Sequence, residues 1–200
     1  MNLYFFARKI VRGYFKLFFK WEVNGAGNVP NDGSVILVAN HISNYDPLAL
    51  GCAVERQVHF MAKEELFKIP LVGKIIYKFG AFPIKRGKSD RKAIKKGLEI
   101  LNQGKILGIF PEGTRSKTGE LGKGLPGATL FALKSEAVVV PVGIVSSYRM
   151  FAPIKINIGR PISLDNYKKD KISSDDLANA TEFIMEQINV QIKELKEMKN

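Results

Sequence analysis

An intrachain disulfide is excluded at the outset, because 200 residues contain a single cysteine, Cys52. A lone thiol in the apolar Leu48–Val54 stretch fits a reducing compartment. With only two histidines beside that cysteine, the chain offers no ligand cluster for a metal. Acidic residues are also scarce: 19 Asp and Glu stand against 31 Lys and Arg, a net charge of +12. That excess implies a polyanionic partner, whether nucleic acid, an anionic lipid surface or a phosphorylated substrate. No helix-turn-helix, zinc or RNA-recognition signature is present, which argues against nucleic acid. No Gly-x-Ser-x-Gly elbow is present either, which argues against a serine-type lipid hydrolase. Internal repeats and low-complexity segments are absent.

What is there suits one globular domain with a real core, since hydrophobic residues make up 46% of the chain. Residues 1–21 stand apart. Arg8, Arg12, Lys16 and Lys20 recur every four residues, with Lys9 alongside, so on a helix they share an arc of roughly 120°. Leu3, Tyr4, Phe6, Ile10, Val11, Tyr14, Leu17, Phe18 and Trp21 fill most of the remaining circumference. Charges break every apolar run well before the ~18 residues of a transmembrane span. A signal peptide's apolar region and cleavage site are missing too. Residues 1–21 therefore read as an amphipathic helix lying in a membrane interface, followed by one domain over residues 22–200. The competing reading is a helix packed on its own domain; the large aromatics opposite the basic stripe favour lipid.

Further on, strands and helices alternate. Residues 34–39, 57–62, 81–84, 105–110 and 138–144 read as strands, with 155–158 as an edge strand. Residues 70–78, 128–135 and 174–196 read as helices, and Ser89 can cap another over 89–103. The alternation predicts an α/β fold, a mixed β-sheet flanked by helices.

One stretch carries the chemistry. Asn40-His41-Ile42-Ser43-Asn44-Tyr45-Asp46 follows a buried strand, at the end of a sheet where ligands bind in α/β folds. A His with an Asp in reach is a general base with an orienting partner. Asp46-Pro47 also reads as a plain helix start, Asp as cap and Pro at the first position. His59, without an evident partner, reads as structural. Phe110-Pro111-Glu112-Gly113-Thr114-Arg115-Ser116 suits a loop that cradles an anion with backbone N–H groups, a hydroxyl and a guanidinium. Arg86 stands at another strand end, within a run of cations.

Four blocks in order resemble the glycerolipid acyltransferases, specifically the 1-acyl-sn-glycerol-3-phosphate acyltransferase family. They are Asn40-His41-x4-Asp46, Gly80 to Gly87, Phe110 to Ser116, and Val139 to Ile144. The resemblance spans roughly residues 33–145. It implies that His41 takes a proton from an acceptor hydroxyl while Asp46 holds the imidazole. It implies that Arg86, Glu112, Gly113, Thr114 and Arg115 bind the acceptor's glycerol phosphate. The acyl donor is then acyl-CoA or an acyl-carrier protein, the acceptor a lysophospholipid, and the product phosphatidic acid for phospholipid synthesis. No bound cofactor, metal or nucleic acid is implied. The expected place is the cytoplasmic face of the cell membrane, attached peripherally to anionic lipid. Three other readings stay open: the same chemistry on glycerol 3-phosphate, another lysophospholipid or a non-phospholipid alcohol; a lipid hydrolase in which His41 activates water; and a non-enzymatic basic module that binds membranes or nucleic acid.

Overall fold

A computed structural model describes residues 3–85, 90–169 and 172–198. In chain order the elements are α1 (Leu3–Phe18), β1 (Lys20–Asn24), β2 (Val35–Ala39), α2 (Asp46–Ala53), β3 (Val58–Lys63), α3 (Glu64–Phe67) and α4 (Val72–Lys78). There follow β4 (Phe82–Ile84), α5 (Arg91–Asn102), β5 (Ile106–Ile109), α6 (Gly127–Leu133), β6 (Val138–Ser146), β7 (Pro153–Ile158) and α7 (Ser174–Glu197). The seven strands form one sheet in the order β1-β7-β6-β2-β5-β3-β4. Only β6 and β7 pair antiparallel, so the sheet is mixed, as the alternating pattern predicts.

β2 lies at the centre, and its sequence explains why. Val35, Leu37 and Ala39 face one core, shared with Phe15 of α1 and with Ala49, Leu50 and Cys52 of α2. Ile36 and Val38 face the other, shared with residues of α5, α6 and α7. A strand covered on both faces reads as an unbroken apolar run rather than an alternating one. Each such Leu or Ile contributes about 1.5–3 kcal/mol by leaving water. Because β2, β3, β4, β5 and β6 run parallel, their carboxyl ends open on the same side of the domain. The loop from β6 to β7 lies at that end too.

Four sequence expectations differ from what is found. The N-terminal helix stops at Phe18, and Lys20 and Trp21 belong to β1. There Trp21 and Val23 pack on the core in alternation with polar neighbours, a strand pattern hidden inside an aromatic-rich segment. The strand around 155–158 is interior, because β1 pairs along its outer side. Asp90 caps α5, accepting from the backbone N–H of Lys92 and Ala93; Ser89, the expected cap, lies outside the described residues. Asp46 does not cap α2, which starts at Asp46 with Tyr45 before it and no side-chain cap.

α1 packs on the domain and also keeps an open face. Tyr4 and Phe15 are buried. Arg8 turns inward: its guanidinium donates to the carbonyls of Val54 and Glu55, at 2.5 and 2.6 Å, and pairs with the Glu55 carboxylate. Arg12 joins the same carboxylate at 3.5 Å. Two of the four regularly spaced cations therefore serve the fold. Leu3, Phe6, Ile10, Tyr14 and Leu17 form an exposed stripe along the other side, Leu17 being 70% exposed. Among the described residues no helix is long and apolar enough to cross a membrane.

Candidate active site

β2 delivers the chain to the carboxyl end of the sheet, and Asn40 fixes it there. The Asn40 amide accepts from the Ile144 N–H at 2.7 Å and donates to the Ile144 carbonyl at 2.8 Å. This two-way pairing locks β2 to β6 just before His41. The following turn folds back around Asp46, which has no exposed surface. Asp46 Oδ2 lies 2.7 Å from His41 Nδ1 and accepts from the N–H groups of Ile42 and Ser43, at 2.6 and 2.7 Å. Its Oδ1 accepts from the Tyr148 hydroxyl at 2.7 Å. An acceptor-only carboxylate with this many donors requires the proton on Nδ1. That leaves Nε2 with its lone pair free to take a proton.

The imidazole is held on a face as well as an edge. Its ring stacks on Phe110, with centroids 4.2 Å apart and planes 18° from parallel, and Phe110 stacks in turn on Phe60. Tyr148 sits in the left-handed region at φ 52°, its own N–H donating to Ser146 Oγ at 2.9 Å. Burial, and then the Asp46 carboxylate against it, push the Tyr148 phenol far above the ordinary tyrosine range. It therefore stays a hydrogen-bond donor to Asp46.

The loop after β5 closes the other side. Glu112 is buried, and its two carboxylate oxygens are taken: the His41 N–H donates to one at 2.7 Å and the Gly122 N–H to the other at 2.8 Å. Glu112 thus clamps the turn after β2 to the loop after β5. Gly113 has φ 66°, where a side chain is disfavoured and where a Cβ would meet Leu125. The Ser116 N–H donates to the His41 carbonyl at 2.7 Å. This holds the neighbouring Arg115 near the histidine. Thr114 and Arg115 are exposed, and among the described residues Arg115 makes no hydrogen bond or ion pair. Arg86 lies outside the described residues.

Of the residues singled out from sequence, the structure brings His41, Asp46 and the Glu112–Arg115 loop together. Sequence reasoning assigned no role to Tyr148, to Asn40 or to the ring of Phe110. Asn40 and Phe110 stand inside recognisable blocks, so position was a signal for them; Tyr148 stands outside every block. Cys52 is buried in the core with its thiol pushed up to about 11 by burial, unsuited to act as a nucleophile. His59 Nδ1 donates to the Gly80 carbonyl, 3.0 Å away, and burial lowers its pKa. It is a structural histidine. Among the described residues no group of three or more His, Cys, Asp or Glu side chains could hold a metal ion. Two surface hollows of about 390 and 600 Å³ lie elsewhere, one around Asn157 and Gln191, the other between α5 and α6.

Residues 20–145 match the Acyltransferase family. The chain is 32% identical over 181 residues to the 1-acyl-sn-glycerol-3-phosphate acyltransferase of Bacillus subtilis, covering 88% of this chain and 87% of that one. It is 29% identical over 180 residues to the enzyme of the same name from Borreliella burgdorferi, covering 87% and 72%. Among solved structures it is similar to the 1-acyl-sn-glycerophosphate (LPA) acyltransferase of Thermotoga maritima. That structure superposes with a TM-score of 0.75 at 27% identity, over 98% of this chain and 83% of that one.

Proposed function

The chain belongs to the Acyltransferase family, and on that premise we propose that it moves a fatty acyl group from an acyl thioester to the free hydroxyl of lysophosphatidic acid, giving phosphatidic acid. The observation that carries this reading is the His41 Nδ1 to Asp46 Oδ2 contact of 2.7 Å at the open end of the sheet. His41 Nε2 takes the hydroxyl proton as the oxygen attacks the thioester carbon. The carbonyl π electrons move onto oxygen, then return as the carbon–sulfur bond breaks. The proton on Nε2 passes to the departing thiolate sulfur, so the base is regenerated. Asp46 stabilises the imidazolium between those two transfers. No covalent acyl-enzyme is required.

Arg115 supports a phosphate-bearing acceptor, because a guanidinium grips a phosphate dianion with two parallel hydrogen bonds. Gly113 and Thr114 lie beside it, and Arg86 follows the end of β4. Glu112 serves the site by holding the His41 backbone. The donor is acyl-CoA or an acyl-carrier protein, and no bound cofactor takes part. The exposed stripe of α1 and the net charge of +12 support attachment at the cytoplasmic face of an anionic membrane. α1 would then be an interfacial helix on a single acyltransferase domain.

The test is thioester consumption with and without lysophosphatidic acid, with phosphatidic acid measured as product. Acceptor-dependent turnover is expected, and His41→Ala should lower it at least ~100-fold, within the range of a general base. Consumption that ignores the acceptor would make the protein a hydrolase instead. Better use of glycerol 3-phosphate would move the acceptor to that alcohol.

A further inference from the structure

α3 and α4 form a helical hairpin between β3 and β4 that buries almost nothing of its own. Gly73 is the only buried residue in its two helices. A Cβ at Gly73 would come within 2.4 Å of the Phe67 carbonyl oxygen, so the two helices touch backbone to backbone. With so close an approach, their side chains turn outward. Leu66, Ile69, Leu71, Val72, Ile75 and Tyr77 are all exposed. Leu71 stands in the connection between the helices at φ 68°, and it is 69% exposed. Large apolar side chains this densely exposed mark an interaction surface rather than ordinary scatter.

Three observations say what covers it. The hairpin leaves the sheet at Lys63, the carboxyl end of β3, the end at which His41 and the Glu112–Arg115 loop lie. Its foot adjoins α1: the Phe79 ring lies 6.2 Å from that of Tyr4, on the helix whose outer stripe is also apolar and exposed. Exposed lysines stand along the hairpin from foot to tip, Lys63 and Lys78 at its base, Lys74 within α4 and Lys68 in the connection, and they outnumber Glu64 and Glu65. Apolar side chains with lysines among them match an anionic bilayer, the apolar groups entering the acyl boundary while the lysines stay with the headgroups.

We propose that the α3–α4 hairpin is a second membrane-contact element beside α1, dipping Leu71 and its neighbours into an anionic lipid surface. The proposal rests on the reading that the acceptor is a bilayer lipid. A single amphipathic helix can roll about its own axis on a membrane. A second contact fixes the orientation and holds the open end of the sheet, with His41, against the layer that contains the acceptor.

The test uses the full chain and phosphatidylglycerol–phosphatidylcholine vesicles. In Leu71→Glu/Ile75→Glu, two apolar contacts are replaced by two charges of the wrong sign. Sedimentation with vesicles should fall at least ~10-fold. Turnover of a short-chain lysophosphatidic acid below its micelle concentration should stay within about twofold, since neither residue touches the reacting atoms. A second measurement does not depend on how that variant folds. Leu71→Cys, labelled with bimane, should blue-shift on vesicle binding and be quenched by brominated lipids. The buried Cys52 does not compete for the label. A probe that stays water-like on vesicle-bound protein overturns the proposal, as does wild-type sedimentation of the double variant. A shift that needs only higher protein concentration would assign the hairpin to a second copy of the chain. A shift that needs an acidic carrier protein would assign it to that partner, and either result overturns the membrane assignment. If wild-type protein does not acylate the soluble acceptor, the acyl-transfer reading fails while the bimane signal still decides the hairpin.

Discussion

The Tyr148 hydroxyl donates to Asp46 Oδ1 across 2.7 Å, joining residues 102 positions apart in the chain. With His41 and two backbone amides on Oδ2, this bond completes the surroundings of a carboxylate that has no access to water. Tyr148 is a positioning residue: it orients Asp46, which orients His41.

Tyr148→Phe keeps the ring and its contact with Tyr45 but removes the donor. A hydrogen bond to a charged group contributes about 1.5–3 kcal/mol, so kcat should fall roughly 10- to 150-fold. Because Tyr148 acts through Asp46, the loss should fall on kcat with both KM values little changed. A raised KM at unchanged kcat would take Tyr148 out of the His41–Asp46 chain.

Glu112→Gln separates a clamp from a substrate contact. Glutamine offers one carbonyl oxygen to two N–H donors, so either His41 or Gly122 loses its partner. An unpaired buried donor costs about 1–3 kcal/mol, and Tm should drop by roughly 2–12 °C. Turnover should fall equally for phosphate-bearing and phosphate-free acceptors. Unchanged stability with a raised KM for the phosphate-bearing acceptor alone would return Glu112 to the phosphate site.

Arg115→Ala should raise the KM for lysophosphatidic acid by about tenfold or more, with the thioester KM little changed, since a charge-assisted bidentate contact is lost. Monoacylglycerol, lacking the phosphate, should remain a poor acceptor at an unaltered rate. An Arg115→Ala enzyme impaired only towards the thioester would assign the guanidinium to the donor.

Asp176 governs part of the acid stability. The Lys169 ammonium, 2.5 Å away, and then the Ser173 hydroxyl lower its carboxyl to about 2, from an ordinary 3.8. A group depressed on folding contributes stability above its unfolded pKa and loses it as pH falls through the folded one. The contribution is therefore complete above pH ~4 and lost as pH drops towards ~2. Thermal unfolding followed between those values should show a loss of Tm that is smaller in Asp176→Asn, which cannot titrate. Equal losses in both proteins would place the acid sensitivity elsewhere.

The sequence by itself determined the elements whose signals are local. A five-residue apolar run makes β2 central, because only a strand covered on both faces can be apolar throughout. The capping box of Ser173 and Asp176 starts α7 where the periodic stripe begins. His41 and Asp46 lie close enough in the chain for one turn to join them, so their pairing was legible as spacing. Only the tertiary structure decided what depends on distant partners. Glu112 became a clamp because the His41 amide, 71 residues away, arrives beside it. Arg8 and Arg12 left the basic stripe because Glu55 stands across from them. Tyr148 reached Asp46 because β6 lies against β2 and runs on past it, from Val142 to Ser146. Periodicity and spacing report forces between near neighbours along the chain. A hydrogen bond between residues a hundred positions apart has no such signature, and it exists only once the sheet has assembled.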